Sequence, residues 1–290
     1  MDVPFDVIDF RVRPPTGSFL NLGIYPGPDE EGSPFFKWHS TLPTSVRKRD
    51  MGTFMAELKR ARVVHAVAWG RRVTRMPGES SDNADVSALI KDYPGRFSGF
   101  GGVSLPDDDN IATAIATVED ALVTHKLKGI TLEPGTYSPL SFVDDRRLYP
   151  VYERCAELGG ILALTMSRTR EKDATILHAG PEGTDHVARD FPSLKIVVSH
   201  AFWPWPELSI GLAFRRRNVY LVPDMYGAGM PGYEHWVQAA NTFMSKRLVF
   251  GSAYPLLGVE EMVHSYLGLG FEPSVLENVM RNNAAELLGR

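Results

Sequence analysis

Apolar and polar residues alternate from the seventh position onward. In VIDFRVR (7–13), Ile8, Phe10 and Val12 fall on one face of an extended strand, with Asp9, Arg11 and Arg13 on the other. Short runs rich in β-branched residues recur at RVVHAVAWG (62–70), FSGFGGVS (97–104), KGITLEP (128–134) and GILALTMS (160–167). Three more follow at LKIVVSHA (194–201), VYLVPDM (219–225) and RLVFGSA (247–253). Between them the apolar period lengthens to that of a helix. SVRKRDMGTFMAELKRA (45–61) sets Met51, Phe54, Met55 and Leu58 on one stripe. NIATAIATVEDALVTHK (110–126) does the same with Ile111, Ile115, Val118 and Leu122. RRLYPVYERCAELG (146–159) ends on Gly159, suited to the left-handed residue that closes a helix. EPSVLENVMRNNAAELLGR (272–290) reads as a terminal helix, with Glu early and Arg late.

Eight strands alternating with helices predict parallel βα units. In 290 residues they predict one α/β domain over 1–290, a distorted (β/α)8 TIM-like barrel rather than an open sheet. The barrel assignment gives the Pro- and Gly-rich stretch 14–44 a place over the C-terminal mouth, as a lid or as a plain surface loop. Dinucleotide and phosphate binding have little support. No glycine fingerprint follows the first strand, GFGG (99–102) lies inside a strand pattern, and there is no G-x-x-x-x-G-K-[ST] loop.

Charge narrows the partners. A net charge of −4 supplies no global basic field, so neither nucleic acid nor an anionic membrane is expected. The single cysteine, Cys155, allows no internal disulfide and fits a reducing compartment. The start, MDVPFDVIDF, lacks the basic and apolar regions of a signal peptide, and no apolar run nears the ~20 residues of a membrane helix. A cytoplasmic protein is the expectation.

Several runs then align with one family. FPSLKIVVSHAFWPWPE (191–207) resembles the D-F-P-x-L-K-I-V-x-x-H-x-G-x-P-W pattern of the amidohydrolase-related (amidohydrolase 2) family. RLVFGSAYP (247–255) resembles its R-[VI]-[LM]-F-G-S-D-Y-P, and NNAAELLG (282–289) its closing N-A-x-x-L-[LF]-G. DYPGRFSGFGGVSL (92–105), KGITLEPG (128–135) and DDRRLYPVYERCAELGG (144–160) match its middle strands and fourth helix. The resemblance implies a distorted barrel with chemistry at the C-terminal strand ends. It also implies relatives that hydrolyse lactones, or decarboxylate or hydrate carboxylated ring compounds, and that often form homodimers. Its usual site has H-x-H on strand one, a His on each of strands five and six, and an Asp on strand eight, around a divalent metal.

This chain departs from that pattern at four of the five positions. Arg11 and Arg13 stand where the H-x-H is expected, Thr165 at the strand-five His and Ala253 at the strand-eight Asp; His200 alone remains. A guanidinium has no lone pair for a metal, and one imidazole makes no catalytic zinc site. The replacements nevertheless leave positive charge at the mouth, and arginine binds carboxylates in bidentate fashion. Arg71, Arg72, Arg168 and Arg170 also follow strand ends. A small anionic, carboxylated substrate is therefore expected, with a structural salt-bridge network as the alternative reading of the arginines.

The candidate catalytic residues are His200, as acid/base or electrophile, and Glu133 and Asp224, as bases or as ion-pair partners of the arginines. Asp9, sharing the arginine face, is a further counter-charge. Arg11, Arg13, Arg71 and Arg168 are candidates for substrate binding, together with Tyr226 and Tyr254 as oxyanion donors or core caps. Trp203, with Trp69 and Trp205, offers flat walls, Phe202 narrows the mouth, and His39 lies in the long first loop. No cofactor is expected; a metal relocated to His200, Glu133 and Asp224 is the alternative. Two functions remain open: a metal-independent hydrolase, lactonase-like or a related decarboxylase or lyase, and an inactive barrel that binds a ligand or partner subunit.

Overall fold

Valine, isoleucine and leucine dominate the extended runs, where branched side chains pack well on a pleated surface. They form seven parallel strands: β1 (Val7–Val12), β2 (Val63–Trp69), β3 (Phe97–Gly102), β4 (Gly129–Leu132), β5 (Ile161–Thr165), β6 (Lys195–Ser199) and β7 (Val219–Val222). They are ordered β1-β2-β3-β4-β5-β6-β7 in one sheet with helices between them, the α/β class and TIM-like architecture expected. The computed structural model describes residues 3–26, 42–74, 78–105, 110–137, 140–166 and 175–290.

The eighth predicted strand, 247–253, is not a regular strand. It runs as an extended segment between β7 and β1, with single parallel bridges Leu221–Leu248 and Val12–Tyr254. Hydrogen bonds reach both neighbours: Val249 N–H donates to Leu221 O (2.8 Å) and Phe10 N–H to Phe250 O (3.0 Å). Two of its own donors are diverted from the ladder. Phe250 N–H goes to Val279 O, Ser252 N–H goes to the Asp9 carboxylate, and Ala253 sits at φ 60°.

Strict alternation in β1 also fails. Asp9 pairs with Ala66 and Val12 with Ala68, so three residues of β1 span two of β2, a β-bulge. Ile8 and Phe10 join the inner apolar cluster with Val67, Trp69 and Phe100, whereas Val12 packs in the outer cluster beneath the helices. The bulge lays Arg11 over Trp69, whose indole N–H holds Phe10 O at 2.6 Å. Asp9 falls out of the arginine set; its Oδ1 accepts from Arg11 N (3.1 Å) and Ser252 N (2.9 Å). Burial pushes its carboxyl up to about 6, against those hydrogen bonds.

Ala284, Leu287 and Leu288 of the last helix (Asn283–Leu288) share the inner cluster with Ile8 and Ile161 near the strand starts. They close the N-terminal end of the barrel. Three predicted helices are interrupted. The 45–61 stripe divides into Thr44–Lys48 and Met51–Arg60, with Arg49 at φ 49° and Asp50 capping Thr53 N (2.6 Å). The 110–126 stripe is α-helical over Ile111–Glu119 and widens into a π turn at Asp120–Thr124; a second π turn, Asn278–Asn282, interrupts the terminal helix. Gly159 closes its helix as expected, at φ 67°.

The GFGG run has a packing reason. A Cβ on Gly99 would stand 2.3 Å from Val86 Cγ1, so β3 is approached closely by the helix Asn83–Asp92. Gly99→Val is expected to cost about 1–3 kcal/mol in unfolding free energy through overpacking, measured by urea denaturation. No helix among the described residues is long and apolar enough to cross a membrane.

Candidate active site at the barrel mouth

Backbone strain concentrates at the C-terminal strand ends. His200, Ala201 and Phe202, directly after β6, have φ of 67°, 43° and 62°; Asp224, after β7, has 44°, and Ala253 has 60°. Each such non-glycine residue costs about 1 kcal/mol or more, and such costs gather where function constrains the backbone. Here they aim two side chains at each other. The His200 ring Nδ1 lies 2.8 Å from Asp224 Oδ1, while Asp224 Oδ2 accepts from Ser199 Oγ (2.8 Å) and from His200 N (3.1 Å).

A carboxylate only accepts, so the proton of the imidazole bond sits on Nδ1 and the lone pair on Nε2. Nε2 faces Arg11 Nη2 at 3.3 Å, a long contact. His200 is held below the ordinary histidine range: burial dominates, Arg11 and Arg13 add to it, and Asp224 opposes without reversing it. Arg11 is 2% exposed and 5.8 Å above the Trp69 ring. Its Nε stands 3.8 Å from Asp224 Oδ2 and has no hydrogen-bond partner. Tyr226 meets the His200 ring edge-on at 5.2 Å and stacks on Trp203 at 4.9 Å, whose Nε1 donates to Pro231 O.

A second buried cluster adjoins it. Glu133, after β4, takes Arg13 Nη2 on Oε1 (2.6 Å) and Arg71 Nε on Oε2 (2.9 Å); Arg71 Nη1 also reaches Glu79 Oε2 (2.6 Å). Burial alone would raise the Glu133 carboxyl, yet the two guanidiniums hold it far below the carboxylate range. Burial lowers Arg13 to about 10, with Arg11 and Arg71 pushing the same way against Glu133. Burial works on Arg71 too, but two carboxylates outweigh it and its pKa rises. Both Glu133 oxygens are thus committed, the ion-pair role rather than that of a free base.

Tyr254 goes elsewhere. Its ring packs 4.3 Å from Phe54, on the helix side, and its hydroxyl meets Ser45 Oγ at 2.7 Å, which in turn donates to Glu57. Of the two roles expected for Tyr254, oxyanion donor or core cap, this packing is that of a core cap. Phe202 is fully buried in the outer cluster, away from the inner wall. Arg168, Arg170, His39 and residues 27–41 of the 14–44 connection lie outside the described residues. Sequence reasoning missed Ser199, although it directly precedes His200, and missed Tyr25, which donates to Arg13 O at 2.6 Å.

This geometry has relatives. A family model described as Amidohydrolase matches residues 8–290. The chain belongs to the amidohydrolase family. An uncharacterized TIM-barrel protein from Bordetella bronchiseptica is 34% identical, with 98% of this chain and 99% of that one covered and a TM-score of 0.91. More distant structures share the fold. The 5-carboxyvanillate decarboxylase of Sphingomonas paucimobilis is 16% identical, with coverages of 98% and 99% and a TM-score of 0.67. The 2,6-dihydroxybenzoate decarboxylase of Rhizobium is 12% identical, with coverages of 98% and 98% and a TM-score of 0.66. No curated protein matches the chain.

Amidohydrolases of the usual pattern hold a dication, and the residues of this family member do not fit one. Guanidiniums occupy the strand-one positions, and Arg11 Nη2 already meets the one imidazole lone pair. The relocated set of His200, Glu133 and Asp224 is not brought together, because Glu133 serves Arg13 and Arg71. Among the described residues no group of three or more His, Cys, Asp or Glu is arranged to hold a metal.

Proposed function

We propose that this amidohydrolase-family barrel hydrolyses a lactone or similarly activated ester of a small carboxylated compound without a metal, His200 acting as general base. The observation that carries the reading is the buried guanidinium of Arg11, whose Nε has no partner beside a neutral imidazole. Asp224 Oδ2 at 3.8 Å balances its charge but lies beyond hydrogen-bond reach, and a buried charged donor without a hydrogen bond is costly, so the natural partner of Nε is an oxygen anion brought by the substrate.

The step balances on these residues alone. As Arg11 Nη2 exchanges its long contact to Nε2 for the carbonyl oxygen, water gives a proton to the freed His200 Nε2 and its oxygen attacks the ring carbonyl, whose developing negative charge is met by Arg11. The ring C–O bond then breaks, and the imidazolium returns its proton to the leaving alkoxide, giving a hydroxy acid. Asp224 keeps Nδ1 protonated and stabilises the positive charge that forms on the ring. The neutral His200 favours this base role over a decarboxylase, which must deliver a proton to a carbanion, although decarboxylases stand among the structural relatives. The reducing-compartment expectation carries over as part of the proposal, with Cys155 buried and its thiol pushed up to about 12 by burial.

A pH-stat screen of lactones, run beside carbon dioxide release from aromatic acids, tests the assignment. The active form is neutral imidazole with a depressed pKa, so kcat/KM is expected to stay level through neutrality and to fall only below about pH 6.5. An acid limb above that value contradicts the base role, and carbon dioxide release without lactone hydrolysis contradicts the reaction.

A further inference from the structure

Five buried side-chain atoms have no hydrogen-bond partner among the described residues, and two of them belong to the inner wall at the mouth: Arg11 Nε and Thr165 Oγ1. Thr165 ends β5. Ile161 and Ala163 of the same strand lie in the inner cluster, so alternation turns Thr165 inward as well. In register it pairs with Ser199, whose hydroxyl is donated to Asp224. Ser199 leads directly into His200, so Thr165 ends the strand beside the one that carries the imidazole, and Arg11 reaches that imidazole from β1. Arg96 Nε and Thr184 Oγ1 lie before β3 and within the helix Glu182–Asp190, and Asp9 Oδ2 lies beside the segment that follows β7.

A threonine hydroxyl in a folded interior ordinarily finds a carbonyl or another hydroxyl, and native proteins leave few such donors idle. Ser199, the neighbour in register, has its acceptor; Thr165 has none. We propose that Thr165 is a substrate contact: its hydroxyl donates to one oxygen of the bound compound while another oxygen sits on Arg11. His200 Nε2 then faces the atoms held between them. The assignment rests on the arginine-bound oxygen anion proposed above and adds a second donor to it. It also makes Thr165 a specificity determinant, because a site built to hydrogen-bond an oxygen rejects a compound with carbon in its place.

Thr165→Val and Thr165→Ser test this in the full-length protein, by thermal unfolding and by calorimetric titration with benzoate. Benzoate is a planar monocarboxylate suited to the aromatic walls, and benzamide is the neutral control. With no ligand, Thr165→Val is expected to unfold within about 2 °C of wild type or above it, since the hydroxyl it removes makes no bond. It is expected to bind benzoate about tenfold more weakly, with Thr165→Ser near wild type. A fall of several degrees in Thr165→Val marks a structural hydroxyl and overturns the proposal, as does benzoate affinity equal to wild type. Arg11→Met binding benzoate as tightly as wild type overturns the arginine reading and leaves Thr165 to be judged on its own variants. Wild-type protein that fails to bind benzoate, or binds benzamide equally, overturns both.

Discussion

Glu133→Gln is expected to lower the unfolding free energy by about 3–5 kcal/mol, because it strips the shared counter-charge from two buried guanidiniums. The loss falls mainly on Arg13. Arg71 keeps Glu79, whereas Arg13 is left with Trp69 O at 3.3 Å, and burial already lowers Arg13 to about 10. A paired change separates charge from packing. Arg13→Met with Glu133→Gln is expected to cost less than Glu133→Gln alone, since it removes the orphaned charge along with its partner. Urea unfolding of the single and double variants reads this directly. A single-variant loss under about 1 kcal/mol would show the cluster to be solvated and the buried ion-pair account wrong.

Asp224→Asn is expected to lower kcat/KM by about 10²–10⁴-fold. The direction follows from the hydrogen bonds. Asp224 Oδ2 accepts from both Ser199 Oγ and His200 N, so in asparagine the amide oxygen takes that place and the amide nitrogen faces Nδ1. Nδ1 must then accept, the imidazole proton moves to Nε2, and the base is lost with little change in shape. The tautomer is measurable without a substrate. Nitrogen-15 shifts of the His200 ring are expected to report Nδ1–H in wild type and Nε2–H in the variant. Wild-type rates in a variant with the inverted tautomer would remove His200 from the proton transfer.

Legibility differs between fold and site for a physical reason. Strands and helices announce themselves through local period, and a barrel follows from their number and order; seven of eight strand runs are regular strands. Where a segment's donors are claimed from outside it, as for 247–253 by Asp9 and Val279, pattern misleads. Arg11, His200 and Asp224 were readable because they sit at strand ends. What each does was not: Glu133 and Tyr254 also sit there, yet one is bound by two arginines and the other turns to Ser45.

The order of residues by itself determined the α/β class, the barrel and the family, because each depends on local periodicity or on contiguous motifs. It also determined that guanidiniums stand at the strand-one positions, which is a matter of residue identity. Only the tertiary structure decided which arginine is spent and which is open. That choice depends on a one-residue bulge between β1 and β2 and on carboxylates 120 and more positions away along the chain. Hydrogen-bond supply across a closed barrel is settled by all its strands together, so no single stretch of sequence carries it.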